Sequence, residues 1–263
     1  MPQRKATAKP RPFSAHFHLL GCVDYEDCLH VQRRLAYDAL TRADGRVVVL
    51  LCEHQPLITI GRSGSRGQVR FTGAELSEWQ LAVRYVSRGG GPLLHSPGQL
   101  AIYPILSLDW RGWTVGHYVR KLQEALGGTL TELGVTATEL PGRCGWWGQT
   151  GMLATVGAAV KQGITSHGAY INVAPENRGF GRVEVVPPAV VSQESAAANT
   201  GFALKPTLSS LLSERAAAGR MSNVRSTVIA QLAKSLGCDD YHLHTGHPLL
   251  TEIPGTASRE SAA

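Results

Sequence analysis

The sequence predicts an α+β fold, a mixed β-sheet with helices packed against it. Three observations carry that reading. Several short apolar runs have strand length, Val47-Val48-Val49-Leu50-Leu51-Cys52 the clearest. Three longer stretches repeat apolar residues at three- and four-residue steps, the period of a helix with one buried face. Strands and helices do not alternate regularly along the chain, which argues against a doubly wound parallel sheet.

Residues 1–12 read as a disordered basic tail, with Arg4, Lys5, Lys9 and Arg11 among Pro2, Pro10 and Pro12. Residues 13–250 read as a single domain and 251–263 as a second disordered tail. Ser14 to Leu20 alternates as a strand does, with His16, His18 and Leu20 on one face and Phe17 and Leu19 on the other. Tyr25 to Leu40 is helical, with Asp24 as its cap. Val47 to Cys52 is a buried strand, because it is short, β-branched and apolar throughout. Leu57 to Gly61 is another and leads into a glycine-punctuated loop over 61–67. Leu81 to Val86 is a third.

Leu100 to Leu108 reads as a strand interrupted by Pro104, and a proline there predicts an edge or a bulge. Thr114 to Leu133 is the best helix. Thr114 caps it, Val115, Val119, Leu122, Leu126, Leu130 and Leu133 share a face, and Gly134 ends it. Strands are expected over 144–148, 152–160 and 168–173, then irregular chain from Asn177 to about Gly201. Met221 to Leu236 is a further amphipathic helix.

The formal net charge is +6, much of it from the N-terminal tail. No basic stripe interleaved with aromatics accompanies it, so no nucleic-acid partner is expected. The five cysteines, Cys22, Cys28, Cys52, Cys144 and Cys238, are odd in number and include no CxxC pair. Neither a disulfide framework nor a zinc knuckle is indicated by that spacing, which fits a reducing compartment. His242, His244 and His247 alone cluster at metal-like spacing, in a segment that reads as a surface loop, so no metal site is expected. The N-terminus lacks an apolar signal region, and no run approaches the roughly 20 apolar residues that span a bilayer. A soluble, cytoplasmic protein without a membrane role is the expectation.

The stretch that carries chemistry is Ser87-Arg88-Gly89-Gly90-Gly91, followed by His95-Ser96-Pro97-Gly98-Gln99 and Tyr103-Pro104-Ile105. Consecutive glycines let another molecule approach the main chain closely. Their amides suit an anionic or carbonyl oxygen, and Arg88 suits a phosphate or carboxylate. The Gly-Lys-Ser/Thr of a P-loop is absent.

Those motifs resemble the octanoyltransferases of lipoate biosynthesis, within the superfamily of lipoate- and biotin-protein ligases. Leu20-Gly21, Asp24-Tyr25, Gln32-Arg33-Arg34, Glu53-His54-Gln55-Pro56 and Thr59-Ile60-Gly61-Arg62 extend the resemblance toward the N-terminus. Thr155-Val156-Gly157 and His167-Gly168-Ala169-Tyr170-Ile171-Asn172-Val173 extend it toward the C-terminus. The resemblance covers roughly Leu20 to Pro188 and implies the α+β catalytic domain of those ligases. It implies a medium-chain acyl pocket made by Arg88, Gly89, Gly90, His95, Thr155, Val156, Gly157, His167, Gly168 and Ala169. It implies acyl carrier protein and lipoyl domains as partners, and no cofactor. In the family an octanoyl group is held on a cysteine as a thioester and passed to a lipoyl-domain lysine, with an enzyme lysine assisting proton transfer.

The chain departs from that pattern at the reacting groups. Met152 stands at the family's lysine position, and methionine neither accepts nor donates the proton. Pro188 stands at the family's cysteine position, or Val186 in an ungapped register, and no cysteine lies between Cys144 and Cys238. Ser96 stands where the family has glycine. The leading expectation is a divergent member or pseudoenzyme that keeps the acyl pocket and has lost Cys/Lys transfer. One alternative is an active octanoyltransferase with relocated groups, Cys144 as nucleophile with Lys161 or His167 as base. Another is a lipoate-ligase-like enzyme using an acyl-adenylate, which Met152 again argues against. A non-catalytic binding module is the competing class.

Overall fold

In the first strand, β1 (Ser14–Val23), alternate residues Ala15 and Phe17 turn inward and are fully buried. The computed structural model describes residues 13–42, 45–140, 142–176, 178–185, 205, 207–214 and 219–251. The N-terminal tail, the C-terminal tail beyond Thr251, Pro188 and most of the irregular stretch after Asn177 lie outside them. Helix α1 (Tyr25–Arg42) starts where the Asp24 carboxylate accepts from the amides of Glu26 (2.8 Å) and Asp27 (3.2 Å), satisfying donors that a helix start leaves open. Strand β2 (Val47–His54) is buried on both faces. Val47, Val49 and Leu51 enter one core, while Leu50 and Cys52 enter the other, the two-residue period of a pleated strand.

The remaining strands are β3 (Leu57–Ile60), β4 (Ala82–Tyr85), β5 (Pro92–His95), β6 (Gln99–Ile105), β7 (Thr138–Glu139), β8 (Gly145–Trp147), β9 (Met152–Lys161), β10 (Ile164–Asn172) and β11 (Asp240–Thr245). They form an eight-stranded mixed sheet of order β11-β1-β2-β6-β10-β9-β8-β7 and a three-stranded sheet of order β4-β3-β5. Between β3 and β4 lies the short helix α2 (Gly73–Glu78), started by a Thr72–Glu75 capping box. The short helix α3 (Leu108–Arg111) follows β6.

Helix α4 (Val115–Glu132) is capped by the Thr114 hydroxyl, which accepts from the His117 amide at 3.1 Å. It ends at Gly134, whose φ of +71° suits glycine. Leu122, Leu126 and Leu130 bury its inner face, together with Val224, Val228 and Leu232 of α5 (Met221–Ser235), over one face of the large sheet. Val115, expected on that face, is half exposed. Helix α1 covers the opposite face against β6 and β10. The last turn, α6 (Pro248–Thr251), adds Leu249 and Leu250 on the α1 side.

Two expectations are corrected. Pro104 occupies neither an edge nor a bulge, because β6 lies between β2 and β10. It is accommodated by a gap in one ladder. Ala169 pairs with Ile102, Thr165 bonds Leu106, and His167 stands opposite Pro104 between them. Proline has no N–H to offer there. His167, at φ +51°, turns its own amide to Gln32 Oε1 (2.8 Å), and the Pro104 carbonyl accepts from the Thr165 hydroxyl (2.8 Å). The second correction is the segment of His242 and His244, expected as a loop. It is the edge strand β11, parallel to β1, with His242 opposite His16 and His244 opposite His18.

Candidate functional site

The glycine run joins β4 to β5 and is stitched to the loop after β3. The amides of Gly61, Arg62 and Ser63 donate to the carbonyls of Gly91 (3.2 Å), Arg88 (3.0 Å) and Gly90 (3.1 Å). The fit demands glycine on both sides. A Cβ at Gly61 would run into the Gly90 carbonyl and come within 2.8 Å of Arg88 Nη1, and one at Gly64 would lie 2.9 Å from Gly91 Cα. The Gly89 amide donates to the Ala158 carbonyl of β9 (2.9 Å), so that donor of the expected oxygen cradle is already used in tying the loop to the large sheet.

Arg88 is 1% exposed. Its Nε and Nη2 donate to the Thr59 hydroxyl at 3.2 and 2.7 Å, Nη2 also to the Thr59 carbonyl at 2.9 Å, and Nη1 to the Gly89 carbonyl at 2.9 Å. Among the described residues no carboxylate forms an ion pair with it. A buried guanidinium held by neutral acceptors alone carries a desolvation cost that an anion or carbonyl oxygen would offset.

From Arg88 a chain of bonds runs inward. The Thr59 hydroxyl donates to His95 Nε2 (2.7 Å), and His95 Nδ1 donates to Gln99 Oε1 (2.6 Å). The Gln99 amide donates to Asn172 Oδ1 (2.8 Å), and the Asn172 amide to the Met152 carbonyl (3.3 Å). Burial, reinforced by the Arg88 charge, holds the His95 pKa well below the usual histidine range. His95 is therefore a neutral link that orients Thr59 and, through it, Arg88. Thr59, Gln99 and Asn172 all fall within the motifs quoted from the sequence, but none is among the pocket residues the resemblance implies, and their linkage through His95 is visible only in the fold.

Between the two sheets and the start of α4 opens a cavity of about 840 Å³. Arg62, Arg88, Gly89, Gly90 and Gly91 form its roof. Leu93, Val119, Trp147, Met152, Val156 and Val160 supply apolar wall, and Arg143, Cys144 and Thr155 lie on its side. Of the residues singled out from the sequence, Arg88, Gly89, Gly90, Cys144, Met152, Thr155 and Val156 meet there. His95, Gly157, Lys161, His167, Gly168 and Ala169 do not line it. Gly157 sits behind Arg88, where a Cβ would come 3.1 Å from Arg88 Cδ. Gly168 is pressed on β6, where a Cβ would collide with the Ile102 carbonyl and lie 2.7 Å from Pro104 Cδ. Ala169 is in the core. Lys161 is exposed at the end of β9.

The titrating groups follow from their surroundings. Burial, with the charges of Arg88 and Arg33, lowers the His167 pKa to about 4, and its Nε2 lies 3.3 Å from Ser87 Oγ. Burial and Glu139 raise the Cys144 pKa, so this thiol stays protonated at neutral pH. Met152 is 4% exposed, and its amide and carbonyl bond Thr207 (2.9 Å) and Ser209 (2.9 Å).

A mixed sheet and a smaller one thus enclose a cavity roofed by the glycine run and walled in part by apolar side chains. The chain belongs to the lipoyl protein ligase A/B catalytic domain family, whose model matches residues 24–210. It is 34% identical over 218 residues to an octanoyltransferase of Chloroflexus aggregans, covering 81% of this chain and 90% of that protein. It is 38% identical over 164 residues to an octanoyltransferase of Pelobacter propionicus, covering 62% of this chain and 75% of that one. Its fold is similar to that of a bi-partite lipoate protein ligase of Thermoplasma acidophilum, at TM-score 0.60 and 15% identity over 91% of this chain and 90% of that one. It is also similar to P. falciparum LipL1 in complex with lipoate, at TM-score 0.61 and 13% identity over 90% of this chain and 70% of that one. At such identities these structural likenesses establish the fold alone. Among the described residues no helix is long and apolar enough to cross a membrane.

Proposed function

We propose that the chain acts in protein lipoylation as a holder of a medium-chain acyl group, without the covalent cysteine–lysine transfer of its relatives. The observation that carries this reading is the composition of the cavity wall. It offers an apolar channel and a cationic, glycine-roofed end, which suit an alkyl chain and a carbonyl or carboxylate head. The same described wall includes no lysine and no histidine, and Met152 occupies the lysine position. Acyl transfer from a thioester needs a nucleophile and a group that moves its proton, and neither pairing expected from the sequence, Cys144 with Lys161 or Cys144 with His167, meets in the cavity.

In this reading Arg88, Gly89, Gly90, Thr155 and Val156 contact the acyl ligand. His95, Gly157, His167, Gly168 and Ala169 shape the pocket from behind. The acyl group arrives on a carrier protein and the acceptor is a lipoyl domain, as the relatives' activity implies, and the compartment is cytoplasmic. One observation favours a second reading, an active transferase: Cys144 opens onto the cavity beside Thr155. Incubation with octanoyl-carrier protein followed by intact mass and equilibrium octanoate binding separates the two. Saturable binding with no mass increase supports the acyl holder. An octanoyl adduct lost in Cys144→Ser supports the relocated nucleophile. Absence of both binding and adduct overturns both.

A further inference from the structure

Outside the cavity, two thiols and an imidazole converge where α1 meets β2. Cys28 lies in the first turns of α1. Cys52 and His54 are two residues apart on β2 and so share one face of the strand. Cys28 Sγ lies 3.9 Å from Cys52 Sγ, and Cys52 Sγ lies 3.6 Å from His54 Nε2. The three donor atoms are all within 4.8 Å of one another, and all three residues are buried. His54 Nδ1 donates to the Val23 carbonyl at 3.0 Å, which puts the lone pair on Nε2, 3.6 Å from Cys52 Sγ, where it accepts from the Tyr103 hydroxyl at 2.8 Å. A metal-binding histidine is oriented in the same way by its other nitrogen.

We propose that Cys28, Cys52 and His54 form a structural site for a thiophilic divalent cation, zinc by preference. Zinc–sulfur bonds of about 2.3 Å and zinc–nitrogen bonds of about 2.0 Å place the donors of a tetrahedral set about 3.8 Å (S···S) and about 3.6 Å (S···N) apart. The Cys28–Cys52 and Cys52–His54 separations match these values, and the third lies within 4.8 Å. Two thiolates and one imidazole select zinc or cobalt over magnesium or calcium. Binding forms two metal–sulfur bonds and one metal–nitrogen bond and releases the two thiol protons to solvent. The resulting cluster carries no net charge, which suits burial.

The surroundings supply the outer contacts. Gln32 Nε2 lies 3.8 Å from Cys28 Sγ, positioned to donate to a thiolate, while Gln32 Oε1 accepts the His167 amide at 2.8 Å. The Tyr103 hydroxyl donates to His54 Nε2 at 2.8 Å and would give up that bond when the nitrogen takes the cation. None of the three donor residues lines the cavity. The cation would therefore tie the start of α1 to the central sheet and take no part in acyl chemistry. Spacing alone hid the site, because its ligands come from two elements and include no CxxC pair.

The test uses the full chain without an affinity tag, produced in medium supplemented with zinc or cobalt and dialysed under reducing conditions. One zinc per chain is expected by elemental analysis. The cobalt form should show thiolate-to-metal charge transfer in the near ultraviolet and intense tetrahedral bands in the red. Both are lost in Cys28→Ala/Cys52→Val and retained in His16→Gln/His244→Gln, which takes two rings from the surface histidine cluster formed with His18, His242 and His247. Metal-free wild-type protein, metal that leaves only with the surface histidines, or recovery of Cys28 and Cys52 as a disulfide overturns the proposal. Should the double cysteine variant not fold, the cobalt spectrum of the wild-type chain decides, since its charge-transfer band requires sulfur ligands.

Discussion

Arg88 donates to the Thr59 hydroxyl at 2.7 Å, and that same hydroxyl donates to His95 at 2.7 Å. One small side chain thus holds the buried cation of the cavity roof and the neutral imidazole behind it. Thr59→Val keeps the shape and removes the hydroxyl's bonds to Arg88 and His95. It should destabilise the chain by about 1.5–3 kcal/mol, the range for a hydrogen bond to a charged group, and Thr59→Ser should recover most of that. Denaturant midpoints of the two variants check the outcome. Equal midpoints for Thr59→Val and wild type would contradict the role.

Gly168 is required by close approach of two strands. Gly168→Ala places a methyl against the Ile102 carbonyl and Pro104 Cδ, and overpacking of this kind should cost about 1–3 kcal/mol. Gly116, in the first turn of α4, has only Thr114 Oγ1 within 4 Å, at 3.9 Å. Gly116→Ala should therefore raise stability by roughly 0.5 kcal/mol through helix propensity. Thermal melts of the pair should move in opposite directions.

His167 couples stability to pH. Its folded pKa of about 4 lies below the ordinary 6.5. Between those values the unfolded chain binds the proton that the folded chain refuses, so stability falls as pH falls through the window and is fully present above about 6.5. The contribution lost between pH 7 and pH 5 is about 2 kcal/mol. His167→Gln should show that much less loss between the two pH values in urea titrations, and identical pH dependence would refute the assignment.

Ligand binding should depend on the volume of the cavity rather than on its thiol. Thr155→Trp fills the space beside Cys144 and should weaken octanoate binding more than tenfold. Cys144→Ser should change it less than twofold. Calorimetric titration reads both, and the reverse order would favour covalent chemistry at Cys144.

The apolar periods of α4 and β2 announced their buried faces because periodicity reports how each residue meets its local neighbours. The glycine run with Arg88 marked the cavity roof for a similar reason, since three adjacent glycines are a local backbone property. That no cysteine lies between Cys144 and Cys238 was also plain in the chain, although Pro188 lies outside the described residues.

Contacts across long separations were not legible. Gly157, Gly168 and Ala169 are strand residues whose outward or inward direction depends on sheet pairing, and the fold turns them toward Arg88, β6 and the core instead of the cavity wall. Pro104 became tolerable in a central strand only because His167, 63 positions later, stands opposite it and sends its amide to Gln32.

By itself the sequence determined the class of fold and the buried faces of its long helices. Tertiary structure alone decided which polar groups face the cavity, that Arg88 rests on Thr59, and that Cys28, Cys52 and His54 meet. The reason is physical. Local dihedral preference and burial are written residue by residue, whereas a side chain's partners are chosen by strand register and helix docking.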